Sequence, residues 1–147
     1  MPYSIHIDPK VNCVLFRFYG SFTVGSRLEG IEQMLSQIDY KNGMKILTDS
    51  REQPFPSSIT FKKISEAVKK MEVTINKIQA GCQWATVVSD AQHYATMHRY
   101  IALTKNSGSM VERKPFRDID KAREWLGIPA DYQIKYPEDS NNPVQVR

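Results

Sequence analysis

Apolar residues first recur along this chain with a period of two. Tyr3, Ile5 and Ile7 alternate with Ser4, His6 and Asp8, the pattern of a strand with one face buried, at or near a sheet edge. Asp8-Pro9-Lys10 turns the chain, and Cys13 to Tyr19 follows as a second strand. Val14, Phe16 and Phe18 lie on one of its faces, with Cys13, Leu15, Arg17 and Tyr19 on the other, and the pair predicts a hairpin ended by Gly20. The period then becomes helical. Ser26 with Glu29 forms a capping box, and Leu28, Ile31, Leu35 and Ile38 share one helix face up to Asn42-Gly43. Phe61, Ile64, Val68, Met71, Ile75 and Ile78 step by three and four residues without a break, an amphipathic helix that Gly81 would stop.

Between these helical stretches, Lys45 to Asp49 and Gln83 to Val88 carry near-continuous apolar runs, as buried strands of a parallel sheet do. Each run stops at a Ser/Asp pair, Asp49-Ser50 in the first and Ser89-Asp90 in the second. Ser89 with Gln92 then caps a helix reaching about Asn106, with Tyr94, Met97 and Ile101 inward. Met110 to Phe116 makes a short last strand. Asp118 caps a final helix in which Ile119, Ala122, Trp125 and Leu126 pack inward, and Gly127 and Pro129 end it.

Strands separated by helices imply right-handed crossovers. The fold class expected is therefore α/β: a single domain with a mixed, mostly parallel sheet of about five strands, an N-terminal antiparallel hairpin and about four helices. The domain spans residues 1–128. Residues 129–147, with Pro137 and Asn141-Asn142-Pro143, read as a mobile C-terminal tail.

Three stretches resemble the SpoIIAA-like family, relatives of STAS domains. They are Tyr19-Gly20-Ser21-Phe22-Thr23 after the opening hairpin, Ile46-Leu47-Thr48-Asp49-Ser50-Arg51, and Phe116-Arg117-Asp118-Ile119 through Ala122-Arg123-Glu124-Trp125-Leu126. The resemblance implies a non-enzymatic α/β module, docking partner proteins under serine phosphorylation in the STAS branch and compared with CRAL-TRIO lipid-binding domains in the SpoIIAA-like branch. The STAS switch serine belongs to an Asp-Ser-Ser-Gly run, and Phe55-Pro56-Ser57-Ser58-Ile59 stands in its place. Ser57 and Ser58 match and become phosphorylation candidates, while the flanking Asp and Gly are absent.

Composition narrows the partners. The chain has 147 residues, a net charge of +4 and a pI near 9.1, with a mean hydropathy of −0.46. No apolar run approaches the roughly 20 residues of a membrane span, and Met1 to His6 does not open a secretory signal, so a cytoplasmic protein is expected. The two cysteines, Cys13 and Cys82, fall in or beside strands and read as small buried hydrophobes. Lys62, Lys63, Lys69, Lys70 and Lys77 are interleaved with Glu66 and Glu72, a solvated helix face, so nucleic acid is not an expected partner. The partners that remain are a regulatory protein, a small apolar or anionic ligand, or a second copy of the chain.

The candidate ligand and partner residues cluster at the strand exits. Asp49, Ser50 and Arg51 mark the first, Ser89 and Asp90 the second. On neighbouring strands they would converge on one rim, where Arg51 and free helix amides hold a small anion. Turn chemistry explains the same residues. Phe55, Ser57 and Ser58 extend the first exit into a proline-bearing loop, Arg51 to Ser58, which makes that exit the stronger candidate surface. Ser57 and Ser58 are equally candidates to cap the helix that follows. Phe55, Ile59, Phe61 and Met71 suggest an apolar groove for an acyl chain or peptide. Asp49 with His93 or His98 is the acid/base set an enzyme would use, though no spacing enforces it. The histidines lack ligand spacing, and neither a metal nor a cofactor is expected. The reading is a non-catalytic regulatory or ligand-binding module, with an apolar-ligand carrier and a small enzyme as alternatives.

Overall fold

The computed structural model describes residues 3–54, 56, 60–75, 78, 82–106 and 111–137. Two strands open it: β1 (Tyr3–Asp8) pairs antiparallel with β2 (Cys13–Tyr19), from Tyr3 opposite Phe18 to Asp8 opposite Cys13. The turn closes as the Lys10 N–H donates to Asp8 Oδ1 at 2.9 Å. Three parallel strands follow, β3 (Lys45–Glu52), β4 (Gln83–Val87) and β5 (Glu112–Phe116), completing a five-stranded mixed sheet in the order β1-β2-β3-β4-β5. This is the α/β class expected.

Because the strand order follows the chain, each crossover steps the same way along the sheet. Right-handed crossovers that all step one way place their helices on one face. Accordingly α1 (Val24–Ser36), α2 (Phe61–Ile75) and α3 (Ala91–Asn106) cover that face, burying Val14, Phe16, Phe18, Ile46 and Trp84. The last helix, α4 (Ile119–Leu126), folds back over the opposite face, where Ala122 and Leu126 pack on Cys13, Leu15, Leu47, Ala85 and Val87. The two faces of β2 divide as its alternation predicts.

Boundaries shift where a nearer cap wins. Helix α1 starts at Val24 because extended Thr23 accepts the Ser26 N–H on Oγ1 at 3.1 Å, so Ser26 lies inside the first turn instead of capping it. The buried stripe is then Arg27, Gly30, Ile31 and Met34, and Ile38, beyond the C-cap at Gln37, is 95% exposed. Thr60 takes the cap of α2, its Oγ1 accepting from Lys63 N–H at 3.2 Å, a role considered for Ser57 and Ser58. Asp90, not Ser89, caps α3 by accepting the His93 N–H at 2.9 Å. Asp118 and left-handed Gly127 cap α4 as expected.

Strand β3 runs to Glu52 instead of stopping at Asp49, held by the Gly20 N–H donating to Glu52 O at 3.1 Å. After α4 the chain keeps packing: Tyr132 donates to Asp8 Oδ2, and buried Tyr136 donates to Phe16 O at 3.2 Å. Tyr132 and Tyr136, in the stretch set apart as a tail from residue 129, thus pack on the domain. Two tyrosines anchor that segment, which the paucity of aliphatic residues concealed.

Candidate functional site

Strand alternation disperses the first strand exit. Since β3 continues past Asp49, successive side chains leave on opposite faces. On the α1–α3 side, Trp84 Nε1–H donates to Thr48 Oγ1 at 2.8 Å and Arg27 Nη2–H donates to Ser50 Oγ at 3.0 Å. On the other side the Arg51 guanidinium donates to both Asp49 oxygens, at 2.9 and 2.8 Å, and these bonds raise its pKa. Asp49 stands opposite Val87 on neighbouring β4, so both exits share one end of the sheet. The rim is nevertheless divided. Exposed Ser89 and Asp90 face His93, whose Nδ1 lies 3.2 Å from Ser89 Oγ and 3.0 Å from Asp90 Oδ2. Among the described residues no contact joins Asp49 to His93 or His98, and His98 meets the Tyr94 ring edge-on. Phe55, Ser57 and Ser58 lie outside the described residues.

Buried polar groups gather instead at a cavity beneath the helical layer. Its floor is a lateral row, Phe16, Thr48 and Thr86, register partners across β2, β3 and β4. Trp84 and Arg113, partners on β4 and β5, line it one row away. Arg27, Met71, Met97 and Tyr100 close it from the helices around about 20 Å³, room for one water-sized group. Helix α1 lies close over β2 because Gly30 has no side chain: a Cβ there would stand 3.3 Å from the Phe16 and Phe18 rings. That close approach carries Arg27 into the core.

Arg27 is held from several directions. Its Nε–H donates to Gln53 Oε1 at 2.8 Å, and its Cζ lies 4.0 Å from the Phe18 ring centroid. Gln53 is anchored in turn, donating from Nε2 to Tyr19 O at 2.8 Å. Arg113 has aromatic neighbours, its Cζ 4.3 Å from the Trp84 centroid and 5.1 Å from that of Tyr100, but its Nε and Nη1 have no hydrogen-bond partner. Burial lowers the pKa of both guanidiniums, that of Arg27 to about 10, and Arg113 pushes Arg27 the same way. The groups acting on the pair include Tyr100 and Cys82 but no carboxylate among the described residues. Among the described residues, two buried cations thus share one cavity with no carboxylate in its lining.

This site escaped the sequence reading, although a signal was present. Arg27 precedes Gly30, Ile31 and Met34 by three, four and seven residues, so it occupies a core position of its helix. Arg113 alternates with exposed Glu112 and Lys114, an inward position on β5. Outside the cavity, Phe22 lines both it and an outer groove of about 370 Å³ between α1 and α2, which includes Lys63 and Lys70. The thiols of Cys13 and Cys82 are buried and pushed up to about 12 by desolvation, as inert core groups.

No protein-family model and no curated protein matches the sequence. Among solved structures the chain is similar to an uncharacterised DUF3478-family protein with a SpoIIAA-like fold from Shewanella loihica PV-4, at 18% identity and a TM-score of 0.53. The match covers 84% of this chain and 93% of that one, and it establishes a SpoIIAA-like fold here.

Proposed function

We propose, taking the SpoIIAA-like fold as premise, that this chain is a non-catalytic ligand-binding module whose site is the cavity between the sheet and helices α1 to α3. One observation carries the reading: Arg27, Thr48, Thr86, Tyr100 and Arg113 meet at a void inside the core. A void left by imperfect packing needs no polar lining, and buried polar groups cost stability unless something satisfies them. The cavity also favours binding over reaction, since Asp49, His93 and His98 are all absent from its lining. A carrier of an acyl chain has less support, because a void of about 20 Å³ has no room for one without displacement of the helices.

Trp84 lines the cavity and Trp125, the other tryptophan, does not. In the Trp125→Phe protein, emission therefore reports on the cavity. Screening small metabolites by thermal shift is expected to find compounds that raise Tm, and the same compounds are expected to shift Trp84 emission. If every stabilising compound leaves Trp84 emission unchanged, binding lies elsewhere and the cavity reading fails.

A further inference from the structure

We infer that the ligand of this cavity carries an oxyanion, a carboxylate or a phosphate group, which lies between the Arg27 and Arg113 guanidiniums; the inference rests on the cavity being the ligand site. Arg113 presents two nitrogens without partners beside the void, and its side chain is 6% exposed. A buried charge normally has a paired charge or a full set of hydrogen bonds, since taking a guanidinium out of water costs several kcal/mol. Aromatic faces offset only part of that. They leave the Nε and Nη1 N–H groups of Arg113 unsatisfied, its side-chain hydrogen bond going to Tyr100.

A water molecule would accept from Arg113 but would leave two like charges facing one cavity. An oxyanion answers both deficits, accepting from several donors while neutralising the pair. Arg27 is already oriented by Gln53 and Ser50, so its charge is positioned before a ligand arrives. Thr48 adds a hydroxyl that accepts from Trp84 and retains its own proton to donate. The void is smaller than a carboxylate or phosphate group, and the walls that yield are Met71 and Met97, unbranched side chains with several rotatable bonds.

The test titrates the wild-type protein with sodium acetate, sodium phosphate and uncharged acetamide at constant ionic strength, with chloride as the balancing anion. Tm and Trp84 emission in the Trp125→Phe background are read together. Acetate or phosphate at tenfold excess over its Kd is expected to raise Tm by about 4 °C, with acetamide inactive. Whichever of the two acts more strongly separates a carboxylate from a phosphate ligand. Arg113→Met is expected to abolish the rise, while Arg113→Lys, which keeps the charge and guards against misfolding of the first variant, retains a smaller one. An equal rise in wild type and Arg113→Met would assign the anion to the surface and overturn the inference. Binding of an uncharged metabolite that shifts Trp84 emission equally in both proteins would overturn the oxyanion and leave the cavity as a ligand site. Failure of any compound to move Trp84 emission would overturn both.

Discussion

Arg27 and Arg113 are equally enclosed and each stacks on an aromatic ring, at 4.0 and 4.3 Å, yet replacing each by methionine is expected to have opposite consequences. The substitution relieves a similar desolvation cost at both sites and forfeits a similar cation–π contact, so these contributions cancel in the comparison. What differs is hydrogen bonding. Arg27→Met removes two charge-assisted bonds and strands Gln53 Oε1 and Ser50 Oγ, both on buried residues. Bonds to charged groups contribute about 1.5–3 kcal/mol each, and an orphaned buried acceptor costs about 1–3. Arg113→Met removes one hydrogen bond, to Tyr100, but also two nitrogens that had no partner. Exchanging a poorly paired buried charge for an apolar side chain is often neutral or stabilising. In anion-poor buffer Arg113→Met should therefore match or exceed wild-type stability, while Arg27→Met falls about 3 kcal/mol below it. Urea unfolding at neutral pH measures the difference as a change in midpoint at constant slope. The double variant should lose more than the sum of the singles, because the guanidiniums repel each other and either single replacement already relieves that repulsion. If Arg113→Met loses as much as Arg27→Met, then Arg113 has partners in solution and the argument from unsatisfied nitrogens is wrong.

Three further outcomes test the architecture. Tyr136→Ala should cost about 3–5 kcal/mol and Tyr136→Phe about 1 by urea unfolding, since the ring is buried and its hydroxyl bonds Phe16 O; a freely moving segment would give no change in either. Thr60→Ala should lose about 1 kcal/mol through its cap on α2, a loss that the same measurement would show to be absent if another residue caps the helix. Folding raises the Cys13 and Cys82 thiols from 9 to about 12, so the stability they contribute is complete below pH 9 and is lost as pH rises through 12. Replacing both by alanine should flatten the alkaline limb of stability against pH, and native protein at pH 8 should react with a disulfide reagent only as fast as it unfolds.

Much of the fold was legible because it depends on period and punctuation. The alternation of Val14, Phe16 and Phe18 against Cys13 and Leu15 named both faces of β2, and the spacing of Ile64, Val68, Met71 and Ile75 named the inner face of α2. Caps were less legible, since Thr23, Thr60 and Asp90 compete locally with Ser26, Ser57, Ser58 and Ser89, and backbone geometry selects among them. The site was nearly illegible. Ser50 looked like one member of a polar cluster with Asp49 and Arg51, yet strand alternation turns it to the opposite face, toward Arg27.

By itself, the sequence determined the order of elements, the sheet class and most of the buried apolar set, because these follow from interactions between residues near in the chain or from burial of a face. Tertiary structure decided which charges meet. Arg27 and Arg113 lie 86 positions apart by their numbers, and only the stepping of crossovers along one sheet face, with Gly30 admitting α1 close to β2, lets both line one cavity. Their significance arises there, since a guanidinium is unexceptional in water and costly in a core without a partner.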